Sequence, residues 1–448
     1  MLSCIFYPQT RAAQFAVIFL LNLTMQVFKF GGASVKDAEA VKNVAYIVKN
    51  FGQNKQLLVV VSAMGKTTNH LEAIFQKFLK QEDWKAKLAE LYSYHQAICE
   101  NLFSEKNLIF STLEYYFLQL ESSLLKKVQQ EKFDESYDQI VCFGELISTQ
   151  IVSQYLISQN IENEWIDARN FIKTDTTWRE GKVDLDWSEK LVERELIPIL
   201  REKIIVTQGF LGGTLGNKTT TLGREGSDYS ASIFAYCLNA EKVVIWKDVA
   251  GVLNADPKKI ADTKLYKTLS YREAAEMTFY GANVIHPKTI KPLANKNIPL
   301  YVKSFIEPQK DGTCIDGISS PQATPTIILK PNQILLHFAV KDLAFITEEN
   351  LSKILHTFTQ SNAKINMMQS SAVSLSICTD FRAEKIEKIV KDLSEEFEIR
   401  QDEEVQVLTI LYYQEKNFQD FLGQYEPILE QKTKTYYRAV VRESPSSP

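Results

Sequence analysis

The sequence has few cysteines, and their spacing excludes the common metal and redox sites. The six are scattered singly and never form a CxxC pair: Cys4, Cys99, Cys142, Cys237, Cys314 and Cys378. The sequence also lacks an HExxH motif and a Cys/His cluster, so we expect no zinc or other metal ion held by the protein itself. Single cysteines of this kind are typical of reduced, buried thiols, and they predict a cytoplasmic protein.

A strong net charge and a long apolar run are also missing. Lysine and arginine number 51 and aspartate and glutamate 55, which gives a net charge of −4. This balance gives no support for a nucleic-acid or membrane partner. The apolar run 15–21 is much shorter than the ~20 residues that cross a bilayer, and no small-x-small cleavage site follows it. We therefore expect translation to begin at Met25 and residues 1–24 to be an unstructured extension.

The order of the elements predicts an α/β fold. With 448 residues, the chain is long enough for two or three domains. Strand-like and helix-like segments alternate from Met25 to about Ser304, and the apolar segment Leu57–Val61 is typical of a parallel strand buried on both faces. Residues 83–133 contain neither glycine nor proline and predict an inserted helical hairpin. We expect a mostly parallel sheet between layers of helices, spanning residues 25–315.

The C-terminal part of the chain shows a different rhythm. From Ile327 onward, shorter segments follow one another as strand, helix, strand, strand, helix, strand. This order is typical of a small α+β domain of ferredoxin-like type. We expect this second region to span residues 326–442, with a weaker second copy of the pattern beginning near Val405.

The segment richest in chemically useful side chains is Thr219–Ala231, which reads TTTLGREGSDYSA and precedes an apolar, helix-like run. Its glycines allow a ligand to approach the backbone, and Ser227 and Asp228 are predicted to cap and begin the helix. A helix N-terminus presents unpaired N–H groups and the positive end of the helix dipole, which suits a phosphate or carboxylate. The alternative is a polar turn that simply leads into a core helix, and this segment alone does not decide between them.

Three earlier segments place polar side chains where a strand ends or a helix begins. Lys29 ends a strand and is followed by two glycines, a combination that suits a terminal phosphate. The turn Ser62–Asn69 is close to a Walker A pattern, but Val60 stands where the first glycine is required, so a P-loop is excluded. Glu145 lies at a predicted helix start, where it can interact with the helix dipole or bind an ammonium group.

Two later segments are suited to a nucleotide. Lys247 and Asp248 end another strand, and the turn Asp256-Pro257-Lys258 follows. These residues can hold a base, a ribose or phosphates, although Asp-Pro is also an ordinary turn signal. The segment 280–287 joins two predicted helices, and we interpret His286 as a structural helix-start residue rather than a general base.

Taken together and in order, these segments resemble the aspartate kinases of the amino-acid kinase superfamily. The resemblance runs from Met25 to about Ser304 and rests on KFGG, SAMGKTTN, GEL, VTQGF, TTTLGREGSDYSA, WKDV, DPK and GANVIHP. It implies phosphorylation of the side-chain carboxylate of aspartate by ATP, with Mg²⁺ carried by the ATP, to give 4-phospho-L-aspartate. The C-terminal region of that family consists of ACT domains, which agrees with the second rhythm and implies a homodimer or higher homo-oligomer formed through this region.

The resemblance also implies a role for each matching residue. Lys29 neutralises the transferring phosphoryl group, and Asp228 orients the phosphate-binding lysine. Glu145 takes the substrate ammonium, and Arg224 takes a substrate carboxylate. The other substrate residues are Ser62, Thr68 and Ser227, and the nucleotide residues are Lys29, Gly31, Gly32, Lys247, Asp248, Val252, Lys258 and Asn283.

The sequence departs from the family pattern at a few positions. Glu225 stands where a second glycine is usual, Lys258 where an arginine is usual, and Asn283 where a lysine is common. The last two changes bear on ATP affinity rather than on the reaction. Lysine-inhibited members carry an acidic residue where this sequence has Asn366, so we expect lysine to inhibit weakly or not at all.

Two alternatives are kept. One is another amino-acid kinase that forms an acyl phosphate, and the pairing of GREGSD with ACT-like repeats disfavours it. The other is an inactive, ligand-sensing protein on the same fold, which the intact set Lys29, Glu145, Arg224 and Asp228 disfavours. We also expect no fused homoserine dehydrogenase.

Overall fold

The chain folds into two compact units that are interleaved along the sequence. The computed structural model describes residues 24–52, 56–126, 132–260, 262–282, 285–319, 324–341, 345–413 and 419–444. The first unit comprises the chain up to Val252 together with 267–271 and 285–319, and the second comprises 253–266, 272–284 and the chain from Ser320 onward. The sequence predicts a single boundary between 315 and 326 instead. The predicted extension 1–24 lies, except for its last residue, outside the described residues.

One mixed sheet forms the centre of the first unit. Its strands are β1 (Met25–Phe30), β2 (Gln56–Val61), β3 (Asn163–Ile166), β4 (Ile204–Gln208), β7 (Lys242–Lys247), β8 (Thr268–Ser270), β9 (Leu300–Ser304) and β10 (Thr313–Asp316), and β5 (Leu211–Gly213) and β6 (Thr219–Thr221) form a separate hairpin. The order in the sheet is β3-β4-β2-β1-β7-β9-β10-β8. All neighbours are parallel except β9 and β10. The predicted mostly parallel sheet is therefore confirmed.

Helices cover both this sheet and the one in the second unit. In chain order they are α1 (Ala38–Phe51), α2 (Thr67–Leu79), α3 (Lys85–Leu102), α4 (Ile109–Leu125), α5 (Phe133–Val141), α6 (Phe143–Ser158), α7 (Leu185–Leu191), α8 (Ile197–Leu200), α9 (Gly226–Leu238), α10 (Tyr271–Tyr280), α11 (Pro287–Asn295), α12 (Glu348–Gln360), α13 (Ala383–Leu393) and α14 (Gln419–Leu422). Helices α3 and α4 form the inserted hairpin that the sequence predicts between residues 83 and 133.

Burial explains why these segments take these forms. Every residue of β2 is buried, because strands pair with it on both sides and helices cover the sheet. Helices α5 and α6 together span 133–158, which is long and apolar enough to cross a membrane by length and composition alone. However, 83% of its most apolar window is buried inside the protein, as in the core helix of a folded domain. This segment therefore belongs to the protein core.

The second unit contains one antiparallel sheet. Its strands are β11 (Thr326–Val340), β12 (Ile365–Ser370), β13 (Ser374–Asp380), β14 (Phe397–Leu411), β15 (Tyr425–Lys432) and β16 (Tyr436–Glu443), in the order β12-β13-β11-β14-β16-β15. The series β11-α12-β12-β13-α13-β14 is the predicted ferredoxin-like order, and its core includes Phe338, Phe358 and Phe397. The described residues after β14 add only α14 and the pair β15–β16, which extends the same sheet.

Candidate active site

The C-terminal ends of the central parallel strands lie level with one another. Phe30 at the end of β1 is aligned with Val61 at the end of β2 and with Trp246 in β7, and Val61 is aligned with Gln208 at the end of β4. Ligands in sheets of this kind bind outside the carboxyl ends of the strands. The polar side chains that the sequence predicts at strand ends are therefore gathered at one edge.

A buried ion cluster lies at this edge. Lys29 Nζ is 2.5 Å from Asp228 Oδ1, and Lys247 Nζ is 3.6 Å from Asp228 Oδ2. Burial by itself raises the pKa of Asp228, but the two ammonium groups outweigh it and hold that pKa below its usual range. Two lysine ammonium groups lie against one carboxylate, and the positive charge that they bring to this edge suits a phosphate.

Glycines allow the neighbouring loops to close around Lys29. A Cβ on Gly31 would lie 3.3 Å from Lys29 Nζ, and one on Gly32 would lie 2.8 Å from the carbonyl oxygen of Gly65. The N–H of Gly65 donates to the carbonyl of Gly32 at 3.0 Å, which ties the loop after β2 to the loop after β1. The two loops therefore approach so closely that a larger side chain at position 32 has no room.

Helix α9 carries Asp228 into the cluster. The helix begins at Gly226 with Glu225 as its N-cap, so Ser227 and Asp228 lie in its first turn. The prediction that Ser227 is the N-cap of this helix was wrong. The N-cap is Glu225, which precedes the helix and has φ +53°. A Cβ on Gly209 would lie 2.5 Å from Cβ of Ser227, so the turn after β4 packs directly on this helix start.

Glu145 lies beneath the loop that follows β2. Its side chain is buried, Oε1 accepts a hydrogen bond from the N–H of Ala63 at 3.2 Å, and Oε2 has no partner among the described residues. Burial raises the pKa of Glu145 to about 8, although the hydrogen bond from Ala63 and the charge of Lys29 act in the opposite direction. A buried carboxylate with one oxygen unpartnered is suited to a ligand that brings its own cation.

The other predicted substrate residues are placed around the same loops. Ser62 follows β2 and is half-buried, and its carbonyl accepts from Ser148 Oγ at 2.7 Å. Thr68 is half-buried in the first turn of α2. Arg224 is exposed just before α9 and forms no hydrogen bond or ion pair with any residue that the structure describes. The site thus combines a partly unsatisfied buried carboxylate with an exposed, uncommitted guanidinium.

Helix α3 supports the site through two residues that the sequence analysis missed. Tyr94 Oη donates to the carbonyl of Lys36 at 2.5 Å, and a Cβ on Gly65 would lie 2.8 Å from that hydroxyl. His95 is fully buried, its Nε2 lies 3.4 Å from Thr67 Oγ1, and burial lowers its pKa to about 4. No motif surrounds these residues, so only their contacts reveal that the inserted hairpin holds the loop after β2.

The comparisons with known proteins agree with this geometry. A model of the amino acid kinase family matches residues 24–304. Lysine-sensitive aspartokinase 3 of Escherichia coli is 31% identical over 356 residues, which cover 79% of this chain and 78% of that protein. This chain belongs to the amino acid kinase family. Within the family, its similarity to aspartokinases extends beyond the kinase region into the second unit.

Other relatives of the family are longer or more distant. The chloroplastic bifunctional aspartokinase/homoserine dehydrogenase 2 of Arabidopsis thaliana is 35% identical over 295 residues, which cover 64% of this chain but 32% of that protein. The crystal structure of E. coli aspartokinase III in complex with aspartate and ADP has a TM-score of 0.78 at 26% identity and covers 93% of this chain and 96% of that one. The fold of aspartokinase III is thereby matched over nearly the whole chain.

The predicted nucleotide residues are only partly gathered at this edge. Lys247 belongs to the ion cluster, and Asp248 follows it and is exposed. Val252 is buried, and its N–H already donates to Thr313 Oγ1 at 2.9 Å. Lys258 is an exposed residue of the second unit, and Asn283 lies outside the described residues. The assignment of these residues to a nucleotide stays a prediction.

The raised pKa of Glu145 predicts how the stability of the protein changes with pH. Its folded-state pKa of about 8 exceeds the ordinary value of 4.5, so between these pH values the folded protein holds a proton that the unfolded chain releases. Stability therefore falls by up to ~1.4 kcal/mol for each pH unit as pH rises through this window. We expect the urea concentration at the unfolding midpoint to be higher for Glu145→Gln than for the unchanged protein. This difference should grow as pH rises from 5 to 8.

The exposed Glu90 on α3 supplies the matched control. Glu90→Gln should leave the pH dependence of the free energy of unfolding unchanged. If Glu145→Gln and the unchanged protein follow parallel curves across this range, then Glu145 is ionised in the folded protein.

Proposed function

We propose that this protein is an aspartate kinase that transfers the γ-phosphoryl group of ATP to the side-chain carboxylate of L-aspartate. The observation that carries the proposal is the buried cluster of Lys29, Asp228 and Lys247 beside the partly unsatisfied carboxylate of Glu145. The product is 4-phospho-L-aspartate, from which lysine, threonine and methionine synthesis proceeds. The similarity to aspartokinases, one of them solved with aspartate and ADP, supports this substrate pair.

The reaction needs positioning and charge rather than a nucleophile from the protein. An oxygen of the substrate carboxylate attacks the γ-phosphorus, and the bond from phosphorus to the bridging oxygen of ADP breaks. The carboxylate is already ionised at neutral pH, so no proton has to move. Lys29 and Lys247 stabilise the negative charge on the phosphoryl oxygens, and Asp228 holds the two ammonium groups in place.

The substrate brings two charges of its own, and the site has a counterpart for each. The α-ammonium group pairs with Glu145, whose Oε2 has no partner among the described residues. The exposed guanidinium of Arg224 takes the α-carboxylate in a bidentate pair. Because free Glu145 has a pKa of about 8, binding at neutral pH expels its proton.

Magnesium fits this scheme as part of the nucleotide. No group of three or more histidine, cysteine, aspartate or glutamate residues in the described part of the chain could hold a metal ion, and the Asp228 carboxylate is engaged by two lysines. A Mg²⁺ ion carried by ATP supplies further neutralisation of the phosphate oxygens.

Removing a charge from the cluster should abolish most of the turnover. We expect Lys29→Met and Asp228→Asn each to lower kcat by about 10² or more, because each removes a preorganised charge at the phosphoryl group. The measurement is trapping of the acyl phosphate by hydroxylamine, with aspartate, with glutamate and without an acceptor. Turnover with glutamate instead of aspartate indicates the rival amino-acid kinase, and no hydroxamate from the unchanged protein indicates the inactive sensor.

The matched control for Lys29 lies in the same sheet, at the opposite ends of the strands. Lys242 is the first residue of β7 and Lys247 is the last. Lys242→Met therefore removes the same charge far from the strand ends that form the site. Lys242→Met should keep near-normal kcat. Near-normal kcat in Lys29→Met as well would remove Lys29 from the catalytic groups.

Glu145 should control the affinity for the amino acid. We expect Glu145→Gln to raise the KM for aspartate by at least tenfold and to change the KM for ATP much less. The reason is loss of a hydrogen bond between opposite charges, which contributes ~1.5–3 kcal/mol. Steady-state kinetics with each substrate varied in turn measures both constants, and equal effects on the two would contradict the assignment of the ammonium to Glu145.

We further infer that the second unit does not bind free lysine as an inhibitor. Asn366 Oδ1 accepts from Lys330 Nζ at 2.9 Å, and Asn366 Nδ2 donates to Gln333 Oε1 and to Asp380 Oδ1. Lys330 Nζ also lies 2.5 Å from Asp380 Oδ1. A lysine effector that bound at Asn366 would have to displace the protein's own ammonium group from these acceptors.

Lysine at millimolar concentration should therefore leave the initial rate nearly unchanged. Lysine and threonine are titrated singly and together, and Lys330→Met is tested in parallel because it removes the ammonium group that pairs with the Asp380 carboxylate. We expect this variant to be more sensitive to lysine than the unchanged protein. Half-inhibition of the unchanged protein by lysine alone at sub-millimolar concentration would show that the effector binds elsewhere or displaces Lys330.

Two further expectations accompany the proposed function. A homodimer or higher homo-oligomer through the second unit is consistent with the positions of β12 and β15 at the two ends of its sheet. A cytoplasmic location is consistent with five free cysteines among the described residues, four of which have pKa values raised by burial to about 12. Both stay predictions.

A further inference from the structure

Glu225 has a backbone conformation that its side chain does not favour. It has φ +53° and ψ +28° and lies directly before the first residue of α9. Six of the other non-glycine residues with positive φ are asparagines, which tolerate this region, but glutamate does not share that tolerance. Such strain persists only where the surroundings hold the residue in place, and it occurs preferentially at functional sites.

The side chain of Glu225 shows what holds it. It makes no capping hydrogen bond to its own helix. Instead, Oε2 accepts from the N–H of His286 at 3.0 Å, across 61 residues of sequence. His286 is itself the N-cap of α11, where its Nδ1 accepts from the N–H of Lys288 at 3.2 Å. One carboxylate therefore connects the start of α9 to the start of α11.

The main chain of Glu225 acts on the same helix start. Its carbonyl accepts from the N–H of Asp228 and from that of Tyr229, both at 3.1 Å. Arg224 precedes it in the chain and forms no bond of its own with a described residue. The conformation of Glu225 thus sets both the direction in which Arg224 leaves the turn and the place where Asp228 enters the ion cluster.

We propose that Glu225 is a positioning residue, whose bond to His286 holds the strained turn so that Arg224 faces the amino-acid substrate while Asp228 stays in the ion cluster. The proposal rests on the proposed function. Glu225 itself needs no contact with either substrate, because it acts through its two neighbours in the turn. The hydrogen bond between Glu225 and His286 keeps Glu225 in its strained backbone conformation.

The test separates a positioning role from a stabilising role by measuring the melting temperature and kcat/KM of the same variant. Glycine adopts positive φ without strain, so Glu225→Gly should leave the melting temperature unchanged or raise it. The same variant loses the bond to His286, and we expect kcat/KM for aspartate to fall at least tenfold. Glu225→Gln retains an acceptor oxygen at the same reach and should stay within about threefold of the unchanged protein.

The second unit supplies a control with the same substitution. Glu404 also has positive φ, at +55°, and is exposed, so Glu404→Gly should match the thermal effect and leave kcat/KM unchanged. The proposal is overturned if Glu225→Gly keeps normal kcat/KM, if its activity falls only in step with its melting temperature, or if Glu225→Gln is impaired as much as Glu225→Gly. Failure of the proposed function is distinct, because the unchanged protein then gives no aspartyl hydroxamate.

Discussion

The site depends on one buried carboxylate, that of Asp228, which holds two lysine ammonium groups at the end of a parallel sheet. Burying charges is costly unless each is paired or hydrogen-bonded, and here one buried anion lies against the buried Lys29 and the half-buried Lys247. The arrangement requires β1 and β7 to end level and α9 to start beside them. The two ammonium groups are held at the strand ends, where they can stabilise the charge of a phosphoryl group.

The two buried carboxylates of the site have opposite tasks, and their surroundings separate their pKa values. Asp228 lies against two lysines and stays ionised, whereas burial outweighs the charge of Lys29 at Glu145 and raises its pKa to about 8. Glu145 is thereby left ready for a ligand that brings a positive charge, while Asp228 is committed to the protein's own cations. The same separation by environment assigns acid and base roles to paired carboxylates in other enzymes.

In the second unit, a group of charged and polar side chains pair with one another. Lys330, Gln333, Asn366 and Asp380 satisfy one another's polar groups on adjacent strands. A polar network of this kind favours one packing, because each member depends on the others for its hydrogen bonds. The neutral Asn366 is therefore part of a network, which the sequence did not reveal.

The sequence by itself determined the elements and most of the candidate site. Apolar periodicity predicted the mostly parallel sheet, the inserted hairpin and the ferredoxin-like order, because burial on two faces or on one face leaves a local pattern in the chain. Lys29, Asp228 and Glu145 were singled out because each lies next to a glycine-containing turn or a helix start, and the family resemblance supplied their predicted roles. The exact cap of α9 was missed, since a glutamate in a left-handed conformation carries no local signal.

Only the tertiary structure decided which residues hold these groups in place. The bond from Glu225 to His286 and that from Tyr94 to Lys36 join residues 61 and 58 positions apart. The interleaving of the two units likewise depends on contacts between segments distant in sequence. Hydrogen bonds between such segments follow from how whole helices and strands pack, and no property of either partner's neighbours in the chain encodes them.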